Sequence, residues 1–498
     1  MLRQPVAVAA RGAARRPSAS ARPVSAGLGP RCPARLSSAS AAKDQRRPRV
    51  AFRPWWGVAL LCAGAAGGYW ARPSAAVIRQ VPGIPDAASE DEVPVASPVR
   101  VLDLEAANRK IREEAHSFVF ASGDGHDGRV DVVRVSSNSP VEDEWALAYG
   151  KGLGGGQALY AGVYDGHAGW ATSSVLKKTL VRYVSGALSR LPRSSDGEAV
   201  AKTIQDAFER LDARIMDDAR RAVKESGEHG AGHVIAALAP AIAGSCALLS
   251  IYDASSSTLR TAVTGDSRAV LGSRTAGPAG GYSAVELSKD QTGFNADEVR
   301  RLDAEHPDEM GNMIDSGSGR LMGIAITRAF GDHRWKWSGD DIRAAQSGFF
   351  AFPPRPHYKT PPYMTARPEV TTRRVAADDF VILASDGLWD VMSNQDAVAC
   401  VHRWLEARRT GKPEAVTPAP SVFTAAADGY ACWKATPESF AIEDLDNAAV
   451  CLVKNALGGR RRTMFCGAMT AYAPLSRYVR DDITVQVIFF RNPPDGAG

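Results

Sequence analysis

Only seven cysteines occur in the 498 residues (Cys32, Cys62, Cys246, Cys400, Cys432, Cys451 and Cys466), with no CxxC pair and no Cys/His cluster at zinc-ligand spacing. That excludes a zinc ribbon, and an odd, scattered set reads as mostly reduced core thiols. Internal repeats and coiled-coil heptads are missing as well. Acids are nearly missing from the start of the chain: residues 1–53 hold eleven Arg and one Lys against the single acid Asp44. This leader therefore carries +11 and leaves −6 for residues 54–498, within a formal total of +5. A mildly acidic body lacks the clustered cations that phosphate backbones require, which argues against nucleic acid as a partner. With 45% hydrophobic and 23% charged residues the chain can bury a large core, excluding a disordered or collagen-like protein.

What is present begins with that leader. Its abundance of Arg, Ser and Ala is the profile of a mitochondrial transit peptide, with a basic unstructured tail as the alternative. No apolar core of about 7 to 15 residues follows the first basic residues, which argues against a secretory signal. Pro54 to Ala71 (PWWGVALLCAGAAGGYWA) is uncharged, bracketed by Arg53 and Arg72, and aromatic at both ends. It reads as a short transmembrane segment, an inner-membrane anchor, or as a hydrophobic part of the presequence that is cleaved away. The body would face the matrix or the intermembrane space accordingly. Residues 72–98, rich in Pro, Ala and acids, read as a linker. Residues 99–491 form the body and 492–498 a tail.

Within the body the pattern alternates between strands and helices. Ala158 to Tyr164 predicts an apolar strand, followed by Val175, Leu176, Leu180, Val184 and Leu188 at helical spacing. Val200, Ile204, Phe208, Leu211 and Ile215 predict a second helix. The runs 246–253, 259–272, 380–387 and 483–490 are strand-like. Two irregular stretches, 335–364 and 410–438, read as surface insertions. The aromatic residues of the first, Trp335, Trp337, Phe349, Phe350 and Tyr358, either cover hydrophobic surface or dock a protein substrate.

Acids at strand ends carry the chemistry. Asp165-Gly166-His167 follows ALYAGVY, Asp266 follows TAVTG, Asp386 follows VILAS with Asp390 one helical turn on, and Asp481-Asp482 precede the last strand. A lone Asp-Gly is more often a solvated turn. Four such sites converging at strand ends would place like charges together, an arrangement that hard divalent cations neutralise. An upstream Asp124-Gly125-His126 lacks the flanking strand and helix and reads as a loop.

The runs YAGVYDGHAGW, VTGDSRAVLG, GIAITRAFGD, FVILASDGLWDVMSNQDAV and RDDITVQVIFF, in that order over roughly 99–491, resemble the motif set of metal-dependent type 2C protein phosphatases. SNSPVEDEWA, LSKDQTGFNADEVRRLDAEHP, RAFGDHRWKW and PPYMTARPEV are similar to segments of that family's mitochondrial pyruvate dehydrogenase phosphatase branch. The resemblance implies an α+β fold, a four-layer α-β-β-α sandwich in which a central antiparallel β-sandwich is flanked by helices. It implies two Mg²⁺ or Mn²⁺ ions and a third, weaker site. Asp165 would bridge the two ions, the Gly166 carbonyl and Glu142 would serve one, and Asp386 and Asp481 the other. Asp266 and Asp390, with Asp386, would form the third site. Asp143 would orient the attacking water and His167 would act as general acid, because a serine alkoxide is a poor leaving group. The substrate implied is a phosphoprotein, the E1α subunit of pyruvate dehydrogenase, dephosphorylated in mitochondria. Another phosphoprotein, or a catalytically silent tethered scaffold, are the alternatives.

Three positions depart from the family pattern. An Arg that grips phosphate is replaced by Asn138, which leaves phosphate binding more dependent on the metals. The usual Asp-Asn is Asp481-Asp482, and DGHGG reads DGHAG, with Ala168 small enough to follow the turn. Arg268 and Arg328 are expected to hold sheet and loops together rather than touch substrate, and Trp389 to be core.

Overall fold

The computed structural model describes residues 97–122, 125–276, 280–349, 351–420 and 433–494. The leader, Pro54 to Ala71, nearly all of the linker, Asp124 and Phe350 lie outside the described residues. Among the described residues no helix is long and apolar enough to cross a membrane.

Two antiparallel sheets stack face to face. One has six strands, in the order β1 (His116–Ala121), β2 (Asp127–Val135), β14 (Ile483–Phe489), β13 (Phe380–Ala384), β9 (Arg268–Arg274) and β10 (Tyr282–Glu286). The other has five, in the order β12 (Glu369–Arg374), β8 (Thr258–Thr264), β7 (Ala247–Asp253), β4 (Gln157–Tyr164) and β3 (Glu144–Lys151). Alternation along each strand decides which face a residue serves. In β13, Val381 and Leu383 turn inward to meet Leu159, Val163, Leu248 and Val263 of the facing sheet, while Phe380, Ile382 and Ala384 turn outward onto helices.

Those outward faces are too apolar to meet water, and each is covered. The helices Ala171–Leu188, Gly197–Lys224 and Ala231–Ile242 pack on the five-stranded sheet through Leu176, Leu180, Ile204, Phe208 and Leu238. Asn394–Thr410 and Ala448–Ala456 pack on the six-stranded sheet through Val398, Trp404, Val450 and Val453. The result is the four-layer α-β-β-α sandwich expected. Burying each large side chain contributes about 1.5–3 kcal/mol, so each interface is a cooperative layer.

Two expectations need correcting. The run 259–272 is not one strand: it breaks at Gly265-Asp266-Ser267, and its halves β8 and β9 belong to opposite sheets. The break delivers Asp266 to the end of the sandwich. The stretch 335–364 is not a surface insertion. Trp335 and Trp337 are buried, Trp337 packing among Phe208, Phe330 and Ile342, and the segment contains the helix Gly339–Phe349. Among the described residues its aromatic side chains cover hydrophobic surface, and only Phe352 of them stands well exposed, at 57%. Part of the second stretch is core as well, since Trp433 and Ala435 are buried.

Candidate metal centre

Asp165 leaves β4, Asp266 occupies the turn between the sheets, and Asp386 opens the short helix Asp386–Trp389 after β13. Three strand ends thereby meet at one edge of the sandwich. One carboxylate oxygen from each of Asp165, Asp266 and Asp386 lies within 4.8 Å of the other two. Burial pushes the Asp165 carboxyl well up, and the charges of Asp386, Asp143, Asp266 and Asp481 push it further. Asp266 is pushed up to about 7, by burial first and then by Asp386 and Asp290. Like charges this close are costly unless neutralised.

Asp143 is 1% exposed, and its Oδ2 has no hydrogen-bond partner. Burial and then the charge of Asp482 raise its pKa, only partly offset by Thr484 and Ser385. Glu142 is better partnered: Oε1 accepts from the Gly169 amide at 2.6 Å and Oε2 from Asn138 Nδ2 at 2.6 Å. Gly166 lies against it so closely that a Cβ there would approach the Glu142 carbonyl oxygen to 2.2 Å. Asp481 faces Arg477 at 3.2 Å, and the same Nη1 lies 3.6 Å from Glu142 Oε2. Asp390 is one turn beyond Asp386, its amide donating to the Asp386 carbonyl at 2.8 Å, and is not one of the clustered three. All side-chain donors in this set are hard oxygens, several buried and one unpartnered, which fits Mg²⁺ or Mn²⁺ rather than a soft metal.

His167 sits beside this cluster. The two-residue strands Gly166–His167, Gly244–Ser245 and Phe330–Gly331 form a small sheet, with Gly244–Ser245 in the middle. The pairing brings His167 Nε2 to 2.7 Å from Asp332 Oδ2. Gly244 has to be glycine, because a Cβ would lie 2.0 Å from His167 Nε2 and 2.3 Å from Asp332 Oδ2. Burial opposes the imidazolium, but Asp332, Asp266 and Glu142 outweigh it and raise the His167 pKa. Ala168 follows the turn with a left-handed φ of 56°.

The other sequence expectations also have places. Arg268 is held by Asp290 and Asn394 and lies over the buried Trp389 ring, its Cζ 5.3 Å from the centroid. Arg328 is buried against Glu298, with Nε 3.0 Å from both carboxylate oxygens. Both arginines serve the framework.

Two residues were not assigned roles by sequence. Asp332 ends the run GIAITRAFGD, and its position after an apolar stretch was the available signal. Asp482 is 3% exposed and organises the whole 137–142 loop. Its Oδ1 accepts from the amides of Ser137 and Asn138 and from Ser137 Oγ, and Oδ2 accepts from the Glu142 amide at 2.9 Å. An asparagine has one acceptor oxygen, so the second carboxylate oxygen of Asp482 is what holds Glu142.

Comparison with known proteins gives the family. Residues 143–423 match the pattern of the family described as Protein phosphatase 2C. A protein phosphatase 2C homolog of Schizosaccharomyces pombe is 38% identical over 373 residues, 73% of this chain and 80% of that protein. The mitochondrial pyruvate dehydrogenase (acetyl-transferring)-phosphatase 1 of Saccharomyces cerevisiae is 34% identical over 432 residues, 79% of this chain and 73% of that one. The human protein of the same description is 30% identical over 465 residues, 78% and 83%.

Proposed function

The chain belongs to the protein phosphatase 2C family, in its pyruvate dehydrogenase phosphatase-like branch, and is a protein serine/threonine phosphatase; on that premise we propose that it dephosphorylates the E1α subunit of pyruvate dehydrogenase in mitochondria. The observation that carries the chemistry is the convergence of Asp165, Asp266 and Asp386 beside the His167–Asp332 pair. The names of the yeast and human relatives support the substrate, and the Arg-rich leader supports the compartment.

In this reading Asp165, Gly166, Glu142, Asp386 and Asp481 would hold two Mg²⁺ or Mn²⁺ ions, and Asp266 and Asp390 would add a weaker third position with Asp386. Bound ions supply Lewis-acid neutralisation of the phosphate oxygens and make water a competent nucleophile. Asp143, whose buried Oδ2 has no partner, would accept from and orient the attacking water. Asn138, committed to Glu142, leaves the substrate phosphate without the family's arginine, and the half-exposed Arg477 is the cation beside Glu142 and Asp481. Asp332 accepts the Nε2 proton of His167 and fixes the ring, so Nδ1 delivers the proton to the departing serine oxygen.

Asp332 is then a positioning residue with a specific signature. In Asp332→Asn, kcat on a phosphoserine peptide is expected to fall on the order of 10²-fold, the scale of general-acid catalysis. An aryl phosphate, whose leaving group needs no proton, should lose much less, and KM should hold. Equal losses on both substrates would reduce Asp332 to a structural role.

The substrate proposal is tested with the full chain, in Mn²⁺ or in EDTA, on phosphorylated pyruvate dehydrogenase complex and on a generic phosphoserine peptide. Cation-dependent phosphate release from the complex, faster than from the peptide, is expected. Release from the peptide alone overturns the named substrate, and release from neither restores the scaffold alternative.

A further inference from the structure

Beyond the metal-binding carboxylates, on the His167–Asp332 side, three arginines gather. Arg334 lies two residues after Asp332 in the short helix His333–Lys336; its Nε donates to the Pro353 carbonyl at 2.8 Å, and its Cζ stands 5.3 Å from the Phe352 ring centroid. Arg355 lies over Trp335 of the same helix, Cζ 4.2 Å from the ring centroid, and its buried Nε has no hydrogen-bond partner. Arg320 Nη1 donates to the Gly323 carbonyl at 3.2 Å, and a Cβ on Gly323 would come within 3.4 Å of Arg355 Nη1. Arg320 and Arg355 both approach Gly323, and the charge of Arg334 acts on Arg355, so the three half-buried arginines are neighbours.

What the cluster lacks is negative charge. Among the described residues none of the three forms an ion pair. Burial pushes Arg355 down to about 10, the like charge of Arg334 adds to this, and Asp332 alone offsets it. For Arg320 the offsetting acid is Asp266. Asp332 is already engaged by His167, and Asp266 accepts from Cys246 Sγ at 3.2 Å with its carboxylate in the aspartate cluster, so neither forms an ion pair with these arginines. Desolvated cations without counter-charges are costly to keep, and arginines with free donor edges are forks for carboxylate and phosphate groups.

We propose that Arg320, Arg334 and Arg355 form a subsite for an anionic side chain of the phosphoprotein substrate, a carboxylate or a second phosphate, flanking the phosphoserine held at the carboxylate cluster. The subsite rests on the phosphatase reading and adds sequence selectivity to it. Stacking on Trp335 and Phe352 holds the guanidinium planes, so little freedom is lost when the anion arrives.

The test uses the full chain and three phosphoserine peptides of one sequence, with glutamine, glutamate or a second phosphoserine in the flanking positions on both sides. The wild type should show kcat/KM about tenfold higher for at least one anionic peptide than for the glutamine peptide, the scale of one charge-assisted contact. An advantage confined to the second phosphoserine assigns the subsite to phosphate, and one shared with glutamate assigns it to either anion. In Arg355→Gln and in Arg334→Gln the anionic-to-neutral ratio should fall toward one, and in the wild type it should shrink in high salt. Fluorescence anisotropy of the same peptides in EDTA reads the ratio without turnover. Equal values for all three wild-type peptides, or an advantage that survives both substitutions, overturns the subsite. Failure of the wild type to hydrolyse p-nitrophenyl phosphate would instead overturn the phosphatase reading, with the anisotropy ratio still deciding the subsite.

Discussion

Replacing Asp386 with asparagine is expected to abolish turnover, lowering kcat on any phosphoserine substrate by about 10³-fold or more, because the lost charge removes several kcal/mol of cation-mediated stabilisation at roughly 1.4 kcal/mol per tenfold. Asp386 is one of the three carboxylates whose oxygens cluster within 4.8 Å. After burial, it is the strongest influence raising the pKa of both Asp165 and Asp266. The same substitution therefore has an opposite effect on the cation-free protein. With one of three mutually repelling charges removed, the unfolding midpoint in EDTA should rise. The wild-type midpoint should rise on adding Mn²⁺, and that increment should largely disappear in Asp386→Asn. An active variant, or an undiminished Mn²⁺ increment, would remove Asp386 from the centre.

Glu298→Ala should cost the most stability, about 3–5 kcal/mol, the usual penalty for breaking a buried ion pair and stranding its partner. Glu298 is fully buried and accepts from Arg328, from Arg301 Nη2 at 2.9 Å and from Thr327 Oγ1 at 2.7 Å. Removing it leaves Arg328, itself 8% exposed, with a buried charge. Burial raises the Glu298 pKa, but hydrogen bonds from Arg328 and Arg301 with their charges prevail and hold it at about 2, against 4.5 unperturbed. That difference corresponds to about 3 kcal/mol. Because the folded value is depressed, the contribution is complete above pH 4.5 and is lost as pH falls through 2. Urea unfolding at pH 7 in EDTA measures the effect apart from any cation, and a loss below about 1 kcal/mol would contradict this account. The position matters for function because Arg328 precedes Ala329-Phe330-Gly331-Asp332, so the ion pair supports the segment that presents Asp332 to His167.

Much of the centre was legible locally. A strand buried on its faces announces itself by β-branched and apolar residues, and an acid just before or after it stands at the strand end wherever the strand packs. Asp165, Asp266, Asp386 and Asp481 could thus be located without knowing how the strands pair. Helical periodicity likewise placed Leu176, Leu180, Ile204 and Phe208 on buried faces. Composition was a poorer guide between 335 and 364, because irregular, Pro-rich sequence gives no period, and burial there depends on the helices beneath it. The same blindness left Asn138 described only as a missing arginine, when its amide in fact braces Glu142.

The sequence by itself determined the fold class, the strand-end acids and the family, because each rests on short-range alternation or on motifs kept in order along the chain. Tertiary structure decided the rest. Asp332 meets His167 across 165 positions only because both flanking strands pair with Gly244–Ser245. Asp482 reaches the loop 137–142 across about 340 positions, because β14 lies beside β2. Arg320 and Arg355 likewise meet at Gly323 from distant positions, with Arg355 lying over Trp335. Such contacts depend on which surfaces the packing brings together, and local periodicity carries no record of that.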